Sequence, residues 1–284
     1  MRMVVLYILS VLLVWLVGTV SFSLMHTMGY RYQRKKKLLK EHFCCDFCGT
    51  QLRAIETVPV FSFCALRGRC RYCGEPLSRR EVWNEVAGGL LALLLFFRFG
   101  NEDTVTGTFH LSGVLDIVVH FNLLRLVTLL VLLAFFCLMD LVLLVDWDTM
   151  EIPNYFVILV LFTAVASLFA LPSVSIAEHL IGGICVSLPM LLLMLAVPGS
   201  FGGGDMKLSA AVGLFLGWKL TVVGFLLGLL SGGIYGIYLL LSKKKGKKDH
   251  FSFGPFLCTG YMLAVLCGMD VIAGYMQLFH LIRG

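Results

Sequence analysis

Eight apolar runs, most of them close to the ~20 residues that cross a bilayer as a helix, leave this chain few ways to fold. They lie at ~3–25, ~83–99, ~123–145, ~155–171, ~176–197, ~206–219, ~220–241 and ~254–278. Within lipid a backbone must satisfy its own N–H and C=O groups, so runs of this kind fold as helices. The expected class is an all-α polytopic membrane protein with about eight transmembrane helices. Composition agrees: 59% of residues are hydrophobic and 14% charged, against about a quarter charged in a soluble domain. The run at ~206–219 is short for a crossing. The first run exceeds the apolar stretch of a usual signal peptide, and no small-residue cleavage site precedes Arg31, so it reads as a first helix.

Charge sets the orientation. Of the 23 Lys and Arg, twelve fall between His26 and Val82, and five more lie within Lys243 to Lys248. Loops rich in Lys and Arg stay in the cytoplasm. Eight crossings counted from a cytoplasmic first loop return Lys243–Lys248 to that side. Both basic segments adjoin spans, which speaks for the lipid bilayer as their partner and against nucleic acid. Residues 100–122, with Asn101, Glu102, Asp103 and His110, read as an external loop.

The large polar stretch, 26–82, carries Cys45-Asp46-Phe47-Cys48 and Cys70-Arg71-Tyr72-Cys73. Each C-x2-C knuckle can aim two thiolates at one ion, and two knuckles complete a tetrahedral zinc site. Four thiolates leave no open coordination position, so the expected zinc is structural, held by Cys45, Cys48, Cys70 and Cys73. Cys44 competes with Cys45 for its place. Gly49 and Gly74 suit the tight turn after each knuckle. Thiols in a basic cytoplasmic segment stay reduced, which excludes a disulfide framework.

Two acidic stretches stand at span ends. One is Phe201-Gly202-Gly203-Gly204-Asp205-Met206-Lys207-Leu208, whose glycines permit φ > 0 and close approach. The other is Asp146-Trp147-Asp148-Thr149-Met150-Glu151-Ile152-Pro153-Asn154. An ionisable group at a membrane helix end is a functional-site hypothesis by default. Alternate counting puts Asp146 and Asp205 on the same cytoplasmic side. Two carboxylates brought together share a proton; the ionised one can activate water while the protonated one polarises a peptide carbonyl. Asp146 and Asp148 diverge on a continuing helix, so Asp205 pairs with one of them. Pro153 disfavours helix at the residue before it, and Asn154 is expected to cap the next helix. Lys207 either pairs with a carboxylate, binds substrate or snorkels.

These residues resemble a known family. Gly202-Gly203-Gly204-Asp205 fits a G-x-G-D motif, and Met206-Lys207-Leu208-Ser209-Ala210-Ala211-Val212-Gly213 its continuation. Asp146 stands seven residues before Pro153, Phe253-Gly254-Pro255-Phe256 matches a late motif, and Leu66-Arg67-Gly68-Arg69-Cys70-Arg71-Tyr72-Cys73-Gly74 a cysteine loop. The chain is similar over nearly its whole length to the bifunctional type IV prepilin leader peptidases and N-methyltransferases, GxGD-type membrane aspartic proteases. The resemblance implies cleavage of the basic leader of type IV prepilins or pseudopilins at the cytoplasmic face of a bacterial inner membrane. It implies Asp146 and Asp205 as the catalytic pair, with Gly202, Gly203, Gly204, Lys207, Asp148 and Pro153 in support. It also implies N-methylation of the new terminus from S-adenosylmethionine, associated with the zinc-binding 26–82 region. That gives a first helix (1–25), a cytoplasmic zinc domain (26–82) and a membrane-embedded peptidase domain (83–284). Glu85 falls where the family places an acid. The family's Cys-Pro-x-Cys knuckle is here Cys45-Asp46-Phe47-Cys48. Two other readings compete with this one: a peptidase without methyl transfer, and a proton-coupled transporter in which the two aspartates relay protons. In a third, a membrane scaffold, the acids are merely solvated.

Overall fold

A computed structural model describes residues 2–35, 48, 50, 63, 65–76, 79–99, 123–171, 174–197, 201–242 and 252–283. Among the described residues the chain forms nine α-helices: α1 Arg2–Gln33, α2 Arg79–Phe99, α3 Leu123–Thr149, α4 Asn154–Ala170, α5 Ile176–Cys185, α6 Ser187–Ala196, α7 Gly203–Leu216, α8 Trp218–Leu241 and α9 Gly254–Arg283. Among the described residues six helical stretches are long and apolar enough to cross a membrane: α1, α2, α3, α5 with α6, α8 and α9. The helix α4 is a shorter apolar one of 17 residues, and α7 has 14. The protein is an all-α, multi-pass membrane protein. Its exterior carries large apolar side chains such as Leu13, Phe162 and Phe169, as a lipid-facing surface does.

Helix borders depart from expectation where local chemistry intervenes. The first helix runs past ~25 to Gln33, carrying Arg31 in its last turn. The ~176–197 run is two helices broken at Val186, whose φ is −104° and ψ −42°. Pro189 explains the break: its ring cannot donate to the Cys185 carbonyl and crowds it. Ser187 Oγ instead donates to the Gly183 carbonyl. Asn154 does not cap α4. Pro153 takes the N-cap position with extended backbone and Asn154 is the first helical residue, so its amide is free for another partner.

The described residues fall into two compact units. One contains α1, α2 and the cysteine turn. Helices α1 and α2 approach closely through small residues, a packing typical of membrane helices. A Cβ on Gly18 would lie 2.5 Å from Ala92 Cβ, and one on Gly89 2.6 Å from the Trp15 indole nitrogen. Ser23 Oγ donates to Glu85 Oε1 at 2.8 Å, so the buried Glu85 joins the two helices.

The second unit, α3 to α9, is organised around α7. This helix packs on α4, α5, α6, α8 and α9, and its Phe215 stacks on Phe135 of α3 with centroids 4.1 Å apart. Leu208, Ala211, Val212, Phe215 and Leu216 are all buried. The shortest expected span is thus the core of the unit. Gly217, at φ 75°, is the single residue between α7 and α8; that left-handed turn favours glycine.

Candidate active site

Asp146 lies in the last turn of α3, where the Met150 N–H donates to its backbone carbonyl at 2.9 Å. Met150 then turns left-handed at φ 56°, an uncommon conformation for such a side chain, and the helix stops. The Thr149 hydroxyl fastens the turn by donating to the Val145 carbonyl at 2.8 Å and accepting from the Glu151 N–H at 3.3 Å. Ile152 and Pro153 lead on into α4.

Asp205 lies in the first turn of α7. Its Oδ2 accepts the Gly202 N–H at 3.3 Å, at the helix end where exposed N–H groups favour negative charge. The three glycines before it are used differently from expectation. None of Gly202, Gly203 and Gly204 is among the positive-φ residues, and Gly202 is extended at φ −75°, ψ 140°. What matters is close approach: a Cβ on Gly204 would lie 2.9 Å from Ile152 Cβ, whereas one on Gly203 meets nothing within 4 Å. Ile152 therefore wedges the turn after α3 against the start of α7.

This wedge brings the two acids together. Asp146 is 4% and Asp205 7% exposed, and both line one cavity of about 300 Å³ with the 150–152 turn and Gly202–Gly204. Across it Asp205 feels the charge of Asp146. Asp148 is exposed and does not line this cavity. Lys207 takes none of the roles expected of it toward a carboxylate: its Nζ donates to Asn154 Oδ1 at 3.0 Å, bracing α7 against α4.

The start of α9 closes the other side of Asp146. Ser252 Oγ donates to Asp146 Oδ2, and Gly254, the first residue of α9, lies against the same oxygen. A Cβ on Gly254 would collide with that oxygen. Sequence reasoning had the Phe253-Gly254-Pro255-Phe256 motif without its role, and missed both Ser252 and Ile152. It also missed Asp140, a buried acid within α3, although an acid inside an apolar run is itself a signal.

In the other unit the Sγ atoms of Cys48, Cys70 and Cys73 lie within 4.8 Å of one another. Arg67, Gly68 and Gly74 turn left-handed around them, at φ 52°, 69° and 73°. The Cys70 N–H donates to the Glu75 carbonyl, and the Gly74 N–H to the Cys70 carbonyl. Three thiolates converging in this way fit three ligands of a tetrahedral zinc. Cys45, Cys44 and Gly49 lie outside the described residues.

Fold and site together define a polytopic membrane protein with two buried acids at adjoining helix ends and a cysteine-rich turn. Comparison with known proteins makes this specific. Residues 16–99 match the bacterial peptidase A24 N-terminal domain, and residues 131–237 the type IV leader peptidase family. The chain belongs to the type IV leader peptidase family. It is 27% identical over 271 residues to the prepilin leader peptidase/N-methyltransferase of Bacillus subtilis, covering 95% of this chain and 98% of that one. The protein of that name from Pseudomonas putida is 28% identical over 82% of this chain and 75% of its own. That from Burkholderia pseudomallei is 32% identical over 76% of this chain and 64% of its own. No solved structure matches the chain.

Proposed function

We propose that this protein is a membrane aspartic peptidase that removes the basic leader of type IV prepilins or pseudopilins at the cytoplasmic face of a bacterial inner membrane, and then methylates the new N-terminus. The observation that carries the reading is the shared cavity of Asp146 and Asp205. The peptide carbonyl enters between them. One carboxylate takes a proton from water, whose oxygen bonds to the carbonyl carbon. The other, protonated, gives its proton to the carbonyl oxygen. Collapse of that tetrahedral species breaks the C–N bond; the departing amine takes up the proton first removed from water, and a hydroxyl of the re-forming carboxyl returns a proton to the second acid. Fixed donors already aimed at the two carboxylates, the Gly202 N–H on Asp205 and the Ser252 hydroxyl on Asp146, help to meet the charges that develop.

Both acids lie at helix ends, which favours the peptidase over a proton-coupled transporter with acids at the membrane midplane. A prepilin is itself an apolar helix with a cationic leader, so it lies in the bilayer beside the enzyme with its leader at the inner face. Cys48, Cys70 and Cys73, with Cys45 as the fourth ligand, would hold a zinc that ties the cytoplasmic segment together. S-adenosylmethionine, when bound, supplies the methyl group for the new amine.

The test is cleavage of a prepilin in detergent by wild type, Asp146→Ala, Asp205→Ala and Asp148→Ala. Loss in the first two variants and retention in the third is expected. Normal cleavage by all three would overturn the assignment of the acids. The mature product, incubated with S-adenosylmethionine, should gain the mass of one methyl group.

A further inference from the structure

An aspartate on the last turn of a helix has two side-chain torsions to settle, and a catalytic carboxylate must hold one orientation. Asp146 is oriented from outside its own helix. Ser252, just before α9, donates its hydroxyl hydrogen to Asp146 Oδ2, and the backbone of Gly254 lies against the same oxygen. Both residues come from a segment far along the chain, so the bond is not a local capping habit of α3. A carboxylate offers about four lone-pair sites; one is held by Ser252, and the rest remain for the cavity shared with Asp205. A side chain at position 254 would collide with the carboxylate, so glycine is what lets it sit against the start of α9.

We infer that Ser252 is a positioning residue: its hydroxyl clamps the Asp146 carboxylate in the orientation that presents it to Asp205 and to the scissile peptide. This rests on the peptidase reading above. Ser252 touches no reacting atom. It acts through Asp146, by holding that carboxylate in place before substrate arrives.

The experiment is steady-state cleavage of a prepilin by the full-length enzyme in detergent, comparing wild type, Ser252→Ala, Ser252→Thr and Asp146→Ala. The Ala variant removes the donor, and Thr keeps a hydroxyl on the same carbon. Losing one hydrogen bond to a carboxylate should lower kcat roughly 10- to 100-fold. KM should stay within about twofold, because the uncatalysed contacts with substrate are untouched. Thr should restore kcat to within a fewfold of wild type. Wild-type kcat in Ser252→Ala, beside an inactive Asp146→Ala, overturns this inference and leaves the peptidase reading standing. Equal loss in Ala and Thr with a lowered melting temperature makes Ser252 a structural residue and also overturns it. A wild type that cleaves no prepilin removes both.

Discussion

Gly204→Ala probes the wedge between the two acid-bearing segments. The new methyl would lie 2.9 Å from Ile152 Cβ and 3.4 Å from its Cγ1. Carbon atoms rest about 3.5–4.0 Å apart, so the 150–152 turn must move away by roughly 0.6–1.1 Å. It cannot yield by turning a side chain, because the clashing atom is a Cβ fixed to the backbone. The displacement separates Asp146 from Asp205. Misplacement of catalytic groups by about 1 Å costs roughly 100-fold in rate, which is about 2.7 kcal/mol in the barrier. The assay is kcat for prepilin cleavage, with Gly203→Ala alongside. A methyl at Gly203 meets nothing within 4 Å, and alanine is the better helix former by about 1 kcal/mol. Its activity should fall far less. Equal losses in the two variants, or a Gly204→Ala enzyme within about threefold of wild type, would refute the wedge.

Two further perturbations separate the units and the core. Cys73→Ser should strip the metal from the cysteine turn, read as zinc per chain by elemental analysis, while prepilin cleavage persists at least in part. Gly213→Ala sets a methyl against the Gly182 carbonyl oxygen, where α5 and α7 meet backbone to backbone. Overpacking of this kind costs about 1–3 kcal/mol, and should lower the melting temperature in detergent by several degrees; Gly274→Ala, with open space around it, should not.

Much of this architecture is legible from apolar run length, because lipid permits few folds and each run must close its own hydrogen bonds. The acids were legible for the same reason: Asp146 and Asp205 interrupt an apolar pattern where charge is costly. What sequence could not supply was the partner across space. The three glycines announce themselves, yet only the position of Ile152 tells which one needs its missing side chain. Asn154 reads as a cap by residue type, but Pro153 takes that place and Asn154 meets Lys207 instead. Ser252 is one serine among many until α9 folds back on α3 and puts its hydroxyl on Asp146. Local pattern finds the reactive groups, and tertiary contact decides how they are held.

The brevity of α7 has a consequence for how the enzyme lives in its membrane. At 14 residues and about 1.5 Å per residue it measures roughly 21 Å, well short of the ~30 Å hydrocarbon layer. Other helices enclose it, so it has no need to match the bilayer. Lipids that thicken or thin the membrane tilt and stretch the outer helices at a modest cost. The helix that carries Asp205 is screened from that adjustment, like an axle inside a wheel whose rim takes the road. A microbe that remodels its lipids with temperature can then keep one geometry of the two acids.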